Sequence, residues 1–263
     1  LLLLFLDWEK GVGMVDLSAK NRKVRRSKML NCPSVAVIIL AFNEEDNLPK
    51  MLKESVDFLD ARVPEWELLV VDDGSSDNTR AVAQSFADSD ERVRVLVHEQ
   101  NRGMGAGMKT GIRAATAEYF TIIAGDGQHP TPELEVLLPG LAEADIVTTY
   151  HSNQREPVRR VLSFGFRRAM QWACGINFTL EGIYLFPRRV AVEEIGLDNI
   201  PGDTFFFSFE LIARAVRAGY SVTVRPMIVR PREHGVSKVA TTRRIRRIAG
   251  EIYGFRERLK AEA

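Results

Sequence analysis

The sequence has little cysteine and few long apolar runs. Only Cys32 and Cys174 occur in 263 residues, and neither lies in a CxxC or Cys/His spacing. We therefore expect no disulfide framework and no zinc site, and a reducing compartment fits best. The apolar stretch 1–6 is followed at once by Asp7, whereas a membrane-spanning helix needs about 20 apolar residues. These features predict a cytoplasmic protein, or one peripheral on the cytoplasmic membrane face.

The sequence also lacks a marked excess of positive or negative charge. Lys and Arg total 36 against 35 for Asp and Glu, so the formal net charge is +1. No overall field favours nucleic acid, and we expect no nucleic-acid partner. The local basic run 20–28 is interpreted as part of a solvated N-terminal arm over 1–33, with attraction to an anionic membrane as the alternative.

From residue 35 onward, apolar β-branched runs alternate with amphipathic segments. Strands are predicted over 35–40, 68–71, 93–97, 119–124, 146–149, 183–186 and 222–229. Helices are predicted over 44–59, 77–87, 106–115, 131–141, 157–172, 208–218 and 239–259. Strands that are apolar throughout indicate a mostly parallel sheet with helices on both faces. We predict one α/β catalytic domain over 34–240, followed by a basic C-terminal helix over 241–263.

Polar or glycine-rich clusters follow the first four predicted strands. In open parallel sheets, ligands bind beyond the carboxyl ends of the strands, so these clusters are expected at one edge. They comprise residues 41–45, 72–77, 101–107 and 125–129. Each cluster alone is compatible with turn chemistry, but four at one edge favour a ligand site.

The second and third clusters suit a nucleotide. Asp72 or Asp73 can accept hydrogen bonds from a nucleobase or ribose, while Asp77 is expected mostly to cap a helix. Gly103 and Gly105 allow close approach of the backbone to a ligand. The cluster lacks the GxGxxG spacing and the P-loop Gly-Lys-Ser/Thr, so neither of those phosphate motifs is present.

The fourth cluster suggests a metal. Asp126 and Gln128 offer oxygens two residues apart, just after a buried strand. Mg²⁺ or Mn²⁺ takes such ligands and completes its shell with water and substrate phosphates. An ion there would neutralise a leaving diphosphate. The alternative is a polar turn before the next helix.

Basic residues late in the chain are candidates for phosphate contacts, because Arg binds phosphate through two hydrogen bonds and Lys through a point charge. The candidates are Arg159, Arg160, Arg230, Arg232 and Lys238. A second basic group, at 243, 244, 246 and 247, is interpreted mainly as a solvated face.

Five motifs resemble family 2 glycosyltransferases of the GT-A (Rossmann-like) fold, in the polyprenyl-phosphate, dolichol-phosphate mannosyltransferase-like branch. They are VIILAFNEEDNL at 37–48, VVDDGSSD at 70–77, NRGMG at 101–105, DGQHP at 126–130 and REHGVSK at 232–238. The first two are specific for the family, and the last favours the polyprenyl-phosphate branch. The resemblance covers about residues 35–240.

The resemblance implies roles for particular residues. The nucleotide of the donor would be held by Ala41, Asn43, Glu45, Asp72, Asp73, Gly103 and Gly105. The metal would be held by Asp126 and Gln128. The acceptor and phosphate groups would be contacted by Arg159, Arg232 and Lys238, with Glu210 as an acid close to the active site.

The chain also departs from the family pattern. Ala124 stands where the usual Asp-x-Asp has its first carboxylate, so one metal ligand is absent. Segment 181–184 reads Glu-Gly-Ile-Tyr instead of Ser-Gly-Phe-Arg, and 149–152 lacks the usual Ser-Arg. These departures bear on the metal and on the identity of the acceptor or the sugar.

The leading hypothesis is transfer of a hexose from UDP- or GDP-hexose to a polyprenyl monophosphate, with inversion. An acceptor phosphate is already anionic and needs positioning more than a base. Segment 157–172 would lie at the membrane interface or, equally, face the core. Its apolar side chains are Phe164, Phe166, Met170 and Trp172.

Two further hypotheses stay open. A soluble family 2 enzyme with a hydroxyl acceptor would need a carboxylate base, with Glu210 or Glu181 as candidates. The loss of a metal ligand at Ala124 also allows a non-catalytic nucleotide-sugar-binding module. The sequence leaves the nucleotide, the sugar and the oligomeric state open.

Overall fold

The computed structural model describes residues 32–153, 157–176, 179–202, 204–231 and 242–262, with the backbone only at 157–164 and 242–245. Its strands are β1 (Val35–Ala41), β2 (Trp66–Asp72), β3 (Val93–Val97), β4 (Tyr119–Ala124), β5 (Ile146–His151), β6 (Tyr184–Pro187) and β7 (Val222–Met227). Each agrees with a predicted strand, and β3 and β4 have the predicted bounds. Apolar β-branched runs specify these strands because both sheet faces are covered.

The strands form one sheet in the order β3-β2-β1-β4-β6-β5-β7. Strand β6 is antiparallel to both β4 and β5, whereas the other pairs are parallel. All strands except β6 therefore run in one direction, and their carboxyl ends meet at one edge. We call this edge the rim.

The helices are α1 (Leu48–Arg62), α2 (Thr79–Ala87), α3 (Met104–Ala114), α4 (Leu134–Leu137), α5 (Pro157–Cys174), α6 (Phe206–Arg217) and α7 (Thr242–Ala261). Short 3-10 helices lie at Thr131–Glu133, Leu138–Ala142 and Leu197–Asn199, and a π-helix at Val190–Ile195. Within the described part of the chain, no helix combines the length and the apolarity needed to cross a bilayer.

Alternate residues of β1 divide the core. Val37 and Ile39 pack with α1, whereas Ala36 and Ile38 pack with α3 and α6. Helix α3 lies close to the sheet because it carries Gly111: a Cβ there would lie 2.3 Å from Ile38 Cγ2. A third cluster, formed by α5, α6 and α7, lies to one side of these two layers.

Two predicted helices differ from the structure by more than a few residues or in helix type. The helix predicted over 131–141 was wrong, because only Leu134–Leu137 is α-helical and 3-10 turns flank it. Pro139 lacks an N–H and its ring clashes with the preceding turn, so the α-helix cannot continue. Helix α1 begins at Leu48 rather than at 44 and carries Pro49 in its first turn, where the missing N–H costs no helical hydrogen bond.

Candidate active site

Hydrogen bonds join the loops that follow β1 and β2. Asn43 has a positive φ of 55°, its N–H donates to Ser75 Oγ at 3.0 Å, and its Oδ1 accepts the Ser76 N–H at 2.9 Å. Glu45 Oε2 accepts the N–H and the side-chain amide of Asn78 at 3.0 and 2.8 Å. In the structure, Asn43 and Glu45 thus shape the rim by linking these two loops.

Asp77 also belongs to this network. Its Oδ1 accepts the N–H of Thr79, the first residue of α2, at 3.0 Å, and its Oδ2 accepts the Glu45 N–H at 3.3 Å. Burial raises the pKa of Asp77, but the hydrogen bonds from Thr79 and Glu45 outweigh it and lower the pKa below its ordinary value. This contact agrees with the predicted capping role.

The paired carboxylates at the end of β2 are almost fully buried and hold the rim together. Asp72 Oδ1 accepts the Ser75 N–H at 3.0 Å. Asp73 Oδ1 accepts the Arg102 N–H, and its Oδ2 accepts the Gly103 N–H, both at 2.9 Å. Asp73 therefore ties the glycine-rich loop before α3 to the end of β2.

His98 is a buried partner of Asp73 that the sequence analysis missed. Its Nδ1 lies 2.6 Å from Asp73 Oδ1, and its Nε2 lies 2.9 Å from Thr110 Oγ1. A carboxylate only accepts hydrogen bonds, so Nδ1 donates to Asp73, while Nε2 pairs with the Thr110 hydroxyl. The sequence signal that could have identified His98 is its position directly after β3, because residues at the carboxyl ends of the strands are expected at the rim.

Glycines let the rim loops approach each other and the sheet. Gly74 has φ +76°, and a Cβ there would lie 2.6 Å from the Gln100 carbonyl carbon. Gly105 and Gly107 are buried in the first turn of α3, where a Cβ on Gly107 would lie 3.2 Å from Leu40 Cδ2. The buried glycines of α3 thus serve its packing, while the loop before it borders the rim.

The Asp126–Gln128 turn lies at the end of β4, beside the end of β1. The Gly125 N–H donates to the Leu40 carbonyl at 2.8 Å. Asp126 Oδ1 accepts the Gln128 N–H at 3.1 Å, and Gly127 adopts φ +73° between them. Both polar residues are half-buried. The turn sets a carboxylate and an amide side by side on the rim.

The fit of this turn to a divalent cation is partial. Among the described residues, no group of three or more His, Cys, Asp and Glu side chains could hold a metal ion. Ala124 ends β4 without a carboxylate. Asp126 and Gln128 nevertheless offer the oxygen ligands that Mg²⁺ and Mn²⁺ prefer, in a site that substrate phosphates would have to complete.

A small cavity of about 30 Å³ adjoins Asp126, enough for about one water molecule. Arg230, on its wall, donates its N–H to the Gln128 carbonyl at 2.9 Å and its Nη1 to Glu54 Oε2 at 2.7 Å. The chain after β7 is therefore tied to the Asp126–Gln128 turn and to α1. Arg230, predicted as a phosphate contact, is half-exposed here and paired with Glu54.

Glu210 lies apart from the Asp126–Gln128 turn, among the helices. It is 0% exposed, and its two oxygens accept from Arg214 Nε at 3.0 Å and from Arg258 Nη2 at 2.6 Å. It borders a cleft of about 330 Å³ between α6 and α7, near Glu251. The structure thus gives Glu210 a part in joining α7 to α6.

Glu181 precedes β6 in the chain and lies beside the end of β5 in space. Its N–H donates to the Thr149 carbonyl at 2.9 Å, and its Oε2 accepts the His151 N–H at 3.1 Å. The His151 ring stacks on His129, with the two Nε2 atoms 3.1 Å apart. Sequence analysis assigned no role to this histidine pair, which joins the segment after Gln128 to the end of β5.

Four predicted phosphate contacts have no described side chain. Arg232 and Lys238 lie outside the described residues, and Arg159 and Arg160 lie in the part of α5 described by its backbone alone. Farther along α5, Met170 is buried and Phe166 packs in the third cluster, whereas Trp172 is 55% exposed. Met170 and Phe166 thus face the core, which was one of the two alternatives predicted for this helix. Trp172 instead faces solvent. The side chain of Phe164 is not described.

Comparison with known protein families gives one match over most of the fold. The model of Glycosyl transferase family 2 matches residues 36–213. Human dolichyl-phosphate beta-glucosyltransferase is 30% identical over 200 residues, covering 66% of this chain and 62% of that protein. The chain therefore spans less than two thirds of the length of this human relative.

Two bacterial relatives are covered more fully. Polyprenol monophosphomannose synthase of Mycolicibacterium smegmatis is 31% identical over 216 residues, which is 78% of this chain and 80% of that protein. Undecaprenyl-phosphate mannosyltransferase of Micrococcus luteus is 29% identical over 219 residues, which is 78% of this chain and 87% of that protein.

A solved structure supports the fold independently of the sequence. Glucosyl-3-phosphoglycerate synthase from Mycobacterium tuberculosis, in complex with Mn²⁺, UDP-glucose and phosphoglyceric acid, superposes with a TM-score of 0.65 at 17% identity. The match covers 89% of this chain and 82% of that one. It confirms the expected GT-A architecture, and with the family match over 36–213 it follows that the chain belongs to glycosyl transferase family 2.

Proposed function

We propose that this protein transfers a hexose from UDP- or GDP-hexose to the phosphate of a polyprenyl monophosphate, with inversion at the sugar carbon. One observation carries the proposal: the loop network around Asp72 and Asp73 and the turn at Asp126 and Gln128 share one rim of the sheet. The relatives named for dolichyl, polyprenol and undecaprenyl phosphate support a lipid-phosphate acceptor.

The donor nucleotide is assigned to the rim beside β1, β2 and β3. Asp72 and Asp73 border the base and ribose, and the loops that position them contain the other proposed contacts. These are Ala41, Asn43, Glu45, Gly103 and Gly105. The dense hydrogen bonding of these loops supports the assignment, because a preorganised site loses little entropy on binding.

A divalent cation, Mg²⁺ or Mn²⁺, is assigned to Asp126 and Gln128. M. tuberculosis glucosyl-3-phosphoglycerate synthase has been solved with UDP and either Mn²⁺ or Mg²⁺, which supports a metal here. A bound ion supplies positive charge to the leaving diphosphate. Arg230 holds the Gln128 carbonyl through its N–H and so keeps the turn in place.

The acceptor is assigned to the side of the rim from which α5 leaves. A phosphate monoester is anionic at neutral pH, so the protein must orient it and offset its charge rather than remove a proton. We assign those tasks to Arg159, Arg232 and Lys238. The pairing of Glu210 with two arginines argues against Glu210 as the base that a hydroxyl acceptor would need, which leaves Glu181 as the candidate for that alternative. We further assign the protein to the cytoplasmic membrane face, as a peripheral protein.

The test is a transfer assay with UDP-glucose or GDP-mannose, Mn²⁺ and a short-chain polyprenyl phosphate. We expect a glycosyl-phosphoprenol, and NMR should report the inverted, β-linked product from an α-linked donor. Transfer only to a sugar hydroxyl would overturn the acceptor assignment. Failure of every nucleotide-sugar to raise the melting temperature, with or without Mn²⁺, would overturn the donor assignment.

A further inference from the structure

The order of the strands along the rim gives an order to the parts of a nucleotide-sugar. The carboxylates assigned to the nucleotide lie at the end of β2, and the Asp126–Gln128 turn lies at the end of β4. In the sheet, β6 and then β5 follow β4 on the side away from β1 and β2. The sugar is the end of the donor opposite the nucleotide. It would therefore extend from the turn toward the rim segments of β6 and β5.

Glu181 lies in that part of the rim. Because β6 runs antiparallel to β4 and β5, the start of β6 rather than its end lies at the rim. Glu181 precedes the first residue of β6, Tyr184, by three positions. Its N–H donates to the Thr149 carbonyl of β5 at 2.9 Å. The carboxylate of Glu181 is thus held beside the end of β5.

Two histidines connect Glu181 to the turn assigned to the metal. His129 directly follows Gln128, and its ring stacks on His151 with 3.1 Å between the two Nε2 atoms. The His151 N–H donates to Glu181 Oε2 at 3.1 Å. A continuous chain of contacts therefore runs from the turn to the carboxylate. The two segments that depart from the family pattern, 149–152 and 181–184, meet at this place.

The Glu181 carboxylate is fixed in position but accessible. A Cβ on Gly182 would clash with Met227 Sδ and lie 2.8 Å from Thr149 Oγ1, so the backbone here packs tightly against its neighbours. Arg167 of α5 lies on another side, with its Nη1 3.7 Å from Glu181 Oε1. The Glu181 side chain is still 26% exposed. A ligand can therefore reach a carboxylate that is already oriented, which lowers the entropic cost of binding.

A carboxylate beside a guanidinium suits a ligand rich in hydroxyl groups. Each sugar hydroxyl can both donate and accept a hydrogen bond, whereas Glu181 accepts and Arg167 donates. The two charges are opposite, so the pair as a whole has no net charge that would attract an anion. A carboxylate on the sugar itself would be repelled by Glu181. The chemistry of the pair therefore favours a neutral hexose over a hexuronic acid.

We propose that Glu181, with Arg167 beside it, binds the hydroxyl groups of the donor sugar and selects a neutral hexose. This inference rests on the proposed function, because the donor and metal assignments determine where the sugar lies. His129 and His151 are positioning residues, since they act by holding Glu181 relative to the Asp126–Gln128 turn.

The test is isothermal titration of the full chain, with Mn²⁺ present, using a nucleotide-sugar and the corresponding nucleotide without the sugar. The probes are UDP-glucose compared with UDP, and GDP-mannose compared with GDP. Glu181→Gln should weaken binding of the nucleotide-sugar about fivefold, because a hydrogen bond to a charged group becomes one to a neutral group. Glu181→Ala should weaken it about tenfold. Neither variant should change the affinity for UDP or GDP.

The preference for a neutral sugar is tested with the matching uronic-acid donor, UDP-glucuronic acid or GDP-mannuronic acid. The wild type should bind this donor more weakly than the hexose donor. Glu181→Gln should narrow the difference, because it removes the repulsion between two carboxylates. A wild type that bound both donors equally would overturn the selection of a neutral hexose.

Glu194→Gln is the matched control. Glu194 follows β6, which ends at the edge opposite the rim, and it pairs with Arg189 at 2.8 Å. This variant should bind every probe like the wild type. Unchanged melting temperatures would show that all variants are folded.

Equilibrium binding separates this role from that of a general base, because a base acts only in the chemical step. Equal affinity of Glu181→Ala and the wild type for the nucleotide-sugar would overturn the inference alone. An equal loss of affinity for the nucleotide without the sugar would overturn it too, since it would reveal a structural role. Binding as expected without transfer to a polyprenyl phosphate would overturn the proposed acceptor alone. Failure of every nucleotide-sugar to bind would overturn both the donor assignment and the inference.

Discussion

Glu54 of α1 and Arg230, beyond β7, form an ion pair with 2.7 Å between Oε2 and Nη1. Through its N–H, the same Arg230 holds the Gln128 carbonyl. Three segments far apart in the chain thus meet at the turn assigned to the metal. The pair is partly exposed, so its contribution to stability is modest, and it links α1 to the residue whose N–H holds the turn.

Glu54→Gln should weaken Mn²⁺ binding by up to about fivefold, the upper end for a partly exposed ion pair. The reason is that Arg230 loses the carboxylate that orients it beside Gln128. Isothermal titration with Mn²⁺ and UDP measures the effect. Lys53→Gln is the control, since its pair with Asp57 is exposed on the same helix and touches no rim loop. Equal Mn²⁺ affinity in the Glu54 variant and the wild type would contradict the prediction.

Replacing His98 tests the buried network. His98→Ala leaves Asp73 without one of its hydrogen-bond donors, and loss of a buried partner costs about 1–3 kcal/mol. We expect a lower free energy of unfolding and weaker UDP binding, because the loop at Gly103 depends on Asp73. Thr110→Val should have the smaller effect, since it removes only the second hydrogen bond of the ring. Unchanged unfolding and UDP binding in His98→Ala would refute this account.

The metal assignment makes opposite predictions for two neighbouring positions. Asp126→Ala should lower Mn²⁺ affinity by at least the roughly tenfold that loss of a supporting group costs. Ala124→Asp should raise it, because a second carboxylate would join the turn at the end of β4. Titration with Mn²⁺ in the presence of UDP measures both. An Asp126→Ala variant that keeps wild-type affinity would place the ion elsewhere.

Asp77 should contribute a pH-dependent part of the stability. Its pKa is lowered in the folded state, so its contribution is present above the unfolded value of 3.8 and lost as pH falls through the folded pKa. Asp77→Ala should lower the free energy of unfolding at neutral pH by about 1 kcal/mol, typical of a lost helix cap. The difference from the wild type should shrink below about pH 4. Urea unfolding of both proteins at several pH values measures this difference in free energy. A difference that stayed constant with pH would contradict a stabilising role for the ionised Asp77 carboxylate.

Helix α3 gives a packing test with internal controls. Gly111→Ala would put a Cβ 2.3 Å from Ile38 Cγ2 and should destabilise the protein by about 1–3 kcal/mol, as overpacking does. Gly107→Ala, with 3.2 Å to Leu40, should cost less. Gly250→Ala in α7 meets nothing within 4 Å and should stabilise by up to about 1 kcal/mol. Urea unfolding of the three variants would test this order, and a neutral Gly111→Ala would contradict it.

Much of the fold was predictable because its signals are local. The strand β4 follows from the apolar run YFTIIA, and its neighbours follow from similar runs. The helix predicted over 131–141 failed where Pro139 breaks it, although that signal was visible in the sequence.

The candidate site was only partly predictable. The rim clusters were visible because each lies within a few residues of a strand end. The pairing of Asp73 with His98 spans 25 residues, and that of Glu54 with Arg230 spans 176, so no local pattern could indicate either. The pairing of Glu210 with Arg258 likewise depends on how α7 packs on α6, whereas its pairing with Arg214 is an i,i+4 contact within α6.

By itself, the sequence determined the parallel α/β sheet, the rim where its polar loops gather and the residue types available there, because apolar periodicity and turn chemistry act over short stretches. The tertiary structure alone decided which of those side chains are used to join loops and which face the rim. The physical reason is that a buried carboxylate must find donors, and those of Asp73 come from residues 25 to 30 positions away in the chain.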